Sequence, residues 1–395
     1  MNIVVIGVGY VGLISGLGFA KLNHNVQFLD IDSKKIDKLK NNIPPFFEPE
    51  LKQFLNNQEL KNIINFQDTY DSISWDETDI VMVCVQTPAL DDKEIDVSFL
   101  SDVFQNIQKR LKQDTIICIK STIHPTALEK VLDSSSITED QIVFNPEFLR
   151  EGSAFYDFFN PDRIVIGSKN ELNSQKVAGL YKEIDTKIIL TDPISSQLIK
   201  YLSNAYLPLR LSFVNEASQI INQLGGNLKE TLEGIGLDKR IGSEYFRPSP
   251  GWGGSCFPKD ISEVLSISKA NNLDLPIISA IKESNKRHKK WFAKYLNSIK
   301  SEKNYENIIL IGLAFKENTD DLRHSPTIDL YNELKNHSVS VFDVNFDNHN
   351  SIELITNFMD NSLIVEMYPI SGDFQTSVIN GLKNIENYEY IKFWE

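Results

Sequence analysis

Cys256 stands in the run Gly253-Gly254-Ser255-Cys256-Phe257-Pro258-Lys259-Asp260. A glycine pair lets backbone pass close to a ligand, and Pro258 suits the first turn of a following helix. A thiol at a helix N-terminus with Lys259 close by is biased toward thiolate, the form that attacks carbonyl carbon. The other two cysteines, Cys84 and Cys118, fall in the apolar runs 80–85 and 115–119. There a small thiol packs as a hydrophobe. Cys256 is the candidate nucleophile.

A second constellation lies at the N-terminus. Residues 3–6 (IVVI) lead into Gly7-Val8-Gly9-Tyr10-Val11-Gly12, and a helix-compatible stretch follows to about Leu22. Asp30 ends the next strand candidate, 18 residues after Gly12. Such glycines permit a tight turn and let backbone N–H groups approach a pyrophosphate at the helix N-terminus. An acid at Asp30 accepts hydrogen bonds from an adenosine ribose and repels a 2′-phosphate, which favours NAD over NADP.

A nicotinamide site and a nucleophilic thiol together restrict the chemistry. Hydride transfer alone interconverts alcohol and carbonyl without a covalent intermediate. A thiol becomes useful when an aldehyde must be oxidised further: it adds as a thiohemiacetal, loses hydride to a thioester, and water releases the acid. The expected conversion is alcohol to carboxylate with two NAD reduced per turnover.

The elements that must position these groups follow an α/β plan. Buried-strand candidates at 26–30, 80–85, 115–119, 141–144 and 163–167 alternate with helical or irregular segments, as in a doubly wound sheet. Between Ser195 and Leu224 no glycine occurs, and apolar residues recur at helical spacing (Leu198, Leu202, Ala205, Leu209, Phe213, Ala217, Ile220, Leu224) until Gly225-Gly226 ends the pattern. A second helical pattern covers about 261–297, with a break at Pro276. Strand character returns at 308–311, 339–343 and 362–366. The expected architecture is two Rossmann-like doubly wound domains, 1–192 and 299–395, joined by a helical segment, 193–298, with a long central helix.

Composition excludes several classes. The 395 residues carry 40 Lys+Arg against 54 Asp+Glu, a net charge of −14. So acidic a chain argues against nucleic-acid or anionic-membrane binding. It permits a small anionic ligand held by local cations such as Lys200, Lys259, Lys316 and Arg323. Three cysteines cannot form a disulfide framework and point to a reducing compartment, the cytoplasm. The uncharged stretch 2–20 has the length of a membrane span, but five glycines interrupt it and no basic segment precedes it, so neither span nor export signal is expected. None of the six histidines falls at metal-ligand spacing, and no metal is expected.

The chain resembles the UDP-glucose 6-dehydrogenases, within the wider group of nucleotide-sugar dehydrogenases. The resemblance spans nearly the whole length and rests on motifs in the family's order. Besides the glycine turn and the Cys256 segment, these are Lys120-Ser121-Thr122, Asn145-Pro146-Glu147-Phe148-Leu149-Arg150-Glu151-Gly152 and Lys200-Tyr201-Leu202-Ser203-Asn204. They continue with Arg240-Ile241-Gly242 and with Gly312-Leu313-Ala314-Phe315-Lys316 running on to Asp321-Leu322-Arg323.

The resemblance implies Cys256 as nucleophile, with Lys200 and Asn204, four apart on one helix face, stabilising the oxyanion at the sugar C6. It implies Glu147 assisting thioester hydrolysis, with Thr122 and Asp260 holding the water. Cofactor contacts are implied at Gly7, Gly9, Val11, Gly12, Asp30, Lys35, Thr87, Thr122, Glu151, Lys259 and Arg323. The nucleotide-sugar cradle is implied at Glu147, Phe148, Leu149, Arg150, Lys200, Asn204, Tyr245, Arg247, Ser249, Gly253 and Lys316. The resemblance further implies that Arg240 reaches into a neighbouring subunit's site, and so at least a homodimer built around the long helix.

The chain departs from the pattern in three places. Trp252 stands where Phe or Tyr is usual, preserving an aromatic wall, and Lys35 replaces a common arginine. The ending Tyr388–Lys392 with Phe393, Trp394 and Glu395 lacks a frequent Asp-x-Arg. Expected function is oxidation of UDP-glucose to UDP-glucuronate. A GDP-mannose 6-dehydrogenase is the nearest alternative, and a non-enzymatic NAD-binding sensor the alternative of another class.

Overall fold

The computed structural model describes residues 1–90, 94–123, 125–133, 135–346, 352 and 354–394. The chain divides into two compact units, Met1–Leu202 and Ser203–Glu395.

The first unit is built on β1 (Asn2–Ile6), β2 (Asn25–Leu29), β3 (Ile64–Gln67) and β4 (Ile80–Val83). The short antiparallel pair β5 (Ala89–Leu90) and β6 (Glu94–Ile95) follows. The sheet continues with β7 (Ile116–Ile119), β8 (Ile142–Phe144), β9 (Ile164–Gly167) and β10 (Ile188–Thr191). Among the described residues the main sheet runs in the order β10-β9-β8-β7-β4-β1-β2-β3.

Its strands are short β-branched runs because both faces are covered, which removes any need for polar alternation. In β1, Ile3 and Val5 join the apolar cluster on one face with Leu13, Leu17 and Phe28. Val4 and Ile6 join the cluster on the other face with Val83, Leu100 and Phe104. The sheet is parallel except at β8–β9, which pair antiparallel through Phe144 and Gly167.

The second unit repeats the device on a smaller scale. β11 (Asn307–Ile311), β12 (Val339–Phe342), β13 (Ser362–Glu366) and β14 (Tyr388–Lys392) form a parallel sheet in the order β12-β11-β13-β14. Ile308 and Leu310 pack into one cluster, Ile309 and Ile311 into the other.

The long helix is Pro193–Gln223, with Pro208 inside it. The second helical pattern resolves into Cys256–Ala270 and Pro276–Glu302, divided as expected just before Pro276. Strands β3, β10 and β14 were not foreseen. β3 (INFQ) and β14 (YEYIK) are edge strands with partly polar sequences, and β10 is likewise at a sheet edge, so none shows a continuous buried run. The apolar stripe of the long helix divides unevenly. Ala205 is buried, whereas Leu202, Phe213, Ile220 and Leu224 are exposed in the single chain.

Candidate active site

The glycine turn follows β1 directly. Gly7 has φ +91°, and a Cβ there would lie 2.8 Å from the Cys84 carbonyl carbon, so both conformation and space demand glycine. Gly12 lies so close under Gly7 that a Cβ would overlap the Gly7 carbonyl oxygen at 2.0 Å. Gly9 differs: a Cβ there would meet nothing within 4 Å. Gly9 also caps the helix Tyr10–Lys21 without a side-chain bond. Open space beside the amides that begin a helix is what a pyrophosphate needs, so the turn fits a dinucleotide.

Asp30 immediately follows β2. Its Oδ2 accepts from the Val8 amide at 2.8 Å and from Lys35 Nζ at 2.8 Å, and its Oδ1 accepts from the Asp32 amide at 3.0 Å. The structure therefore brings the turn, Asp30 and Lys35 together. Thr87 and Thr122 also meet, the Thr87 hydroxyl donating to the Thr122 carbonyl at 2.8 Å.

The segment after β8 carries the carboxylates. Glu147 Oε1 lies 2.8 Å from Lys200 Nζ, and Oε2 accepts from the Leu149 amide at 2.7 Å. Lys200 also donates to the Glu147 carbonyl at 2.7 Å. The two side chains are 5% and 9% exposed. Lys200 is thus no solvated helix residue; it is a buried cation matched to a buried acid. Thr122, Pro146 and Lys200 line one cleft together with Ser121 and Gln197.

Phe148 lies under the Arg163 guanidinium, 3.9 Å from the ring centre, with Lys200 Nζ at 5.4 Å. Leu149 packs at the margin of the core. Arg150 is held by Asp157 through Nε and Nη2, the shortest contact 2.6 Å. Glu151 is half-buried beside Gly152, whose φ is +85°.

In the second unit Cys256 is exposed and is the first residue of Cys256–Ala270, so Pro258 lies in the first turn. The Ser255 hydroxyl is 3.6 Å from its Sγ. By contrast, burial pushes the Cys84 and Cys118 thiols up to about 12. Asp260 is buried; its Oδ2 accepts from Asn204 Nδ2 at 2.6 Å, and Lys259 Nζ lies 2.8 Å from its Oδ1. The catalytic candidates Asn204 and Asp260 and the cofactor candidate Lys259 therefore form one chain of contacts.

The glycine pair makes room for protein atoms. A Cβ on Gly253 would sit 2.0 Å from the His324 carbonyl oxygen, and one on Gly254 2.8 Å from the Phe315 ring. Gly254 N donates to the Arg323 carbonyl at 2.9 Å. Gly253 makes room for backbone and Gly254 for the Phe315 ring, and the pair ties the Cys256 segment to the segment bearing Lys316 and Arg323. Trp252 likewise is buried, its indole N–H bonded to Ser212 Oγ at 3.0 Å, so it is core and not a wall exposed to ligand.

Arg323 forks onto Asp321, and Lys316 Nζ lies 5.7 Å from the Phe315 ring centre. Arg240 pairs with its near neighbour Asp238, and its side chain is 88% exposed. Tyr245 adopts φ +54°, Arg247 is exposed, and the Ser249 amide donates to Asn215 Oδ1 at 2.9 Å.

Supporting contacts lay beyond sequence reasoning. Lys120 is buried, donating to Asn145 Oδ1 at 3.0 Å, and Asn145 Nδ2 donates to the Val165 carbonyl at 2.9 Å, which anchors the start of the carboxylate segment. Arg210 donates to the carbonyls of Ile241 and Gly242 at 2.7 and 2.8 Å and so orders the loop bearing Arg240. Lys120 and Asn145 stand in motifs that carry the resemblance, but none of these pairings has a local signature, because the partners lie 20 or more positions apart. Among the described residues no group of three or more His, Cys, Asp or Glu could hold a metal ion, and no helix is long and apolar enough to cross a membrane.

Comparison with known proteins places the chain in a family. Residues 1–185 match the NAD binding domain of the UDP-glucose/GDP-mannose dehydrogenase family, 194–287 its central domain and 309–368 its UDP binding domain. The chain is 36% identical over 347 residues to the UDP-glucose 6-dehydrogenase of Rickettsia felis, covering 86% of this chain and 77% of that one. To UDP-glucose 6-dehydrogenase YwqF of Bacillus subtilis it is 38% identical over 336 residues, 83% and 76% of the two chains. A UDP-glucose dehydrogenase structure from the archaeon Pyrobaculum islandicum superposes with TM-score 0.82 at 26% identity, over 100% of this chain and 97% of that one. A glycine turn shaped for a dinucleotide, a buried lysine–glutamate pair and an exposed helix-start cysteine thus occur in a chain matched along most of its length, which belongs to the UDP-glucose/GDP-mannose dehydrogenase family and is an NAD-dependent oxidoreductase.

Proposed function

We propose that the protein oxidises UDP-glucose to UDP-glucuronate through a Cys256 thioester. The observation that carries this reading is the contrast among the cysteines: Cys256 alone is exposed at a helix start, whereas burial raises the other two thiols. Bound NAD supplies a hydride acceptor. The first oxidation takes a hydride from the sugar C6 and a proton from its hydroxyl, leaving an aldehyde. The Cys256 thiolate adds to that carbon, and the oxyanion is stabilised by Lys200 and Asn204. Loss of a second hydride leaves a thioester. Water, activated with help from Glu147 and held by Thr122 and Asp260, releases the acid and restores the thiol. The balance is one alcohol, one water and two NAD giving one carboxylate, two NADH and three protons.

The cradle for the nucleotide sugar takes in residues 147–150 and 245–249, Gly253 and Lys316. The three-part division 1–192, 193–298 and 299–395 is part of this reading, as is a cytoplasmic setting. So is a homodimer built on the long helix. Tyr206, Phe213, Ile220 and Leu224 are exposed along it at spacings of seven, seven and four, an apolar stripe suited to a second copy.

The test measures NADH formed per UDP-glucose consumed, with mass analysis of the product, for wild type and Cys256→Ser. Two NADH per sugar in the wild type, and loss of turnover in the variant, are expected. One NADH per sugar, or full turnover in the variant, would overturn the thioester. Faster turnover of GDP-mannose than of UDP-glucose would overturn the substrate.

A further inference from the structure

Glu48 is a buried carboxylate, 6% exposed, in the loop before the helix Leu51–Leu55. Three donors meet it. The Tyr10 hydroxyl donates to Oε2 at 2.6 Å, the Gly152 amide to Oε2 at 2.7 Å and the Ala154 amide to Oε1 at 2.8 Å. Tyr10 belongs to the glycine turn and is the first residue of its helix. Gly152 follows Glu151 and closes the carboxylate segment. One side chain therefore joins two functional segments, 38 positions from Tyr10 on one side and 104 from Gly152 on the other.

Other contacts show the joint to be built. The Tyr10 ring packs on Phe46, from the same loop as Glu48, with centroids 5.3 Å apart. The Tyr10 hydroxyl also lies 3.2 Å from the Arg150 carbonyl. Glu50, two residues on, takes a left-handed conformation with φ +67°, a strain that persists only where the surroundings over-determine the backbone. Burial, and then Glu48 itself, raise the Tyr10 phenol far above its ordinary value, so it remains a donor.

We propose that Glu48 is a positioning residue for the cofactor, holding the glycine turn through Tyr10 and the Glu151 segment through the Gly152 and Ala154 amides, so that both address one dinucleotide. The inference rests on the reading that Glu151 contacts NAD. A glutamine at this position keeps the size but offers one acceptor oxygen in place of two, so a donor among the three is lost.

The test is NADH affinity, read by fluorescence titration without nucleotide sugar, for wild type, Glu48→Gln, Tyr10→Phe and the double variant, with circular dichroism to verify folding. The apparent KM for NAD is measured beside kcat. Each single variant is expected to bind NADH about tenfold more weakly and to raise KM for NAD more than it lowers kcat. The double variant is expected to be little weaker than the worse single one, because both changes break the same contact. NADH affinity within twofold of wild type in a folded Glu48→Gln, even with a lowered melting temperature, would overturn the proposal. If Glu48→Gln does not fold, unchanged affinity in Tyr10→Phe overturns it. Multiplying effects in the double variant would overturn the route through Tyr10. Failure of the UDP-glucose reading leaves these readouts intact. A wild type that does not bind NADH would remove the cofactor assignment itself.

Discussion

The Lys200 ammonium lies 2.8 Å from Glu147 Oε1 and 2.7 Å from the carbonyl oxygen of the same residue, so one cation secures both ends of the proposed hydrolytic acid. Both side chains are nearly fully buried. Removing Lys200 takes away the cation that matches the buried Glu147. Lys200→Ala is expected to destabilise the protein by about 3–5 kcal/mol, and Lys200→Ala with Glu147→Gln by clearly less than the two single changes summed. Urea unfolding of the four proteins checks this; strict additivity would show that the pair is not coupled.

Asn204 donates to Asp260 at 2.6 Å, and Lys259 lies on the other carboxylate oxygen. In the proposed mechanism Asn204 also faces the developing oxyanion. Asn204→Ala is expected to lower kcat by on the order of 100-fold while leaving NADH affinity, measured by titration, unchanged. A variant with wild-type kcat would take Asn204 out of the mechanism.

His288 supplies a pH signature. Nδ1 lies 3.0 Å from Gln219 Nε2 and Nε2 lies 2.8 Å from the Ser249 carbonyl, so the neutral ring bridges the long helix to the expected substrate loop. Burial, opposed by the Ser249 bond and by Glu216, lowers its pKa to about 4. The folded protein therefore keeps the ring neutral where the unfolded chain would protonate it. The stabilisation is complete above the ordinary histidine value near 6.5, is lost as pH falls toward 4, and amounts to about 3 kcal/mol. Denaturant unfolding of wild type and His288→Gln from pH 7 to 4 should show the gap between them narrowing. A gap constant with pH would refute the assignment.

The segments that act through local geometry were legible in sequence. Gly7 and Gly12 need no tertiary knowledge, because a strand, a positive φ and a helix start make a glycine turn wherever they occur. The same holds for Cys256 at the head of a helix closed off before Pro276. The strands of the two sheet interiors could be read because burial on both faces leaves only one composition. The edge strands β3 (INFQ) and β14 (YEYIK) could not, since one unpaired side admits polar residues.

Pairings between distant positions were the tertiary structure's decision. The sequence determined that a thiol, a lysine and several carboxylates were present, and which helix or turn carries each. That Lys200 closes on Glu147, that Gly253 makes room for the His324 carbonyl, and that Glu48 joins Tyr10 to Gly152 are results of folding. The reason is physical. Periodicity and turn chemistry act over a few residues, whereas a buried charge must find its partner wherever the packed chain brings one within about 3 Å.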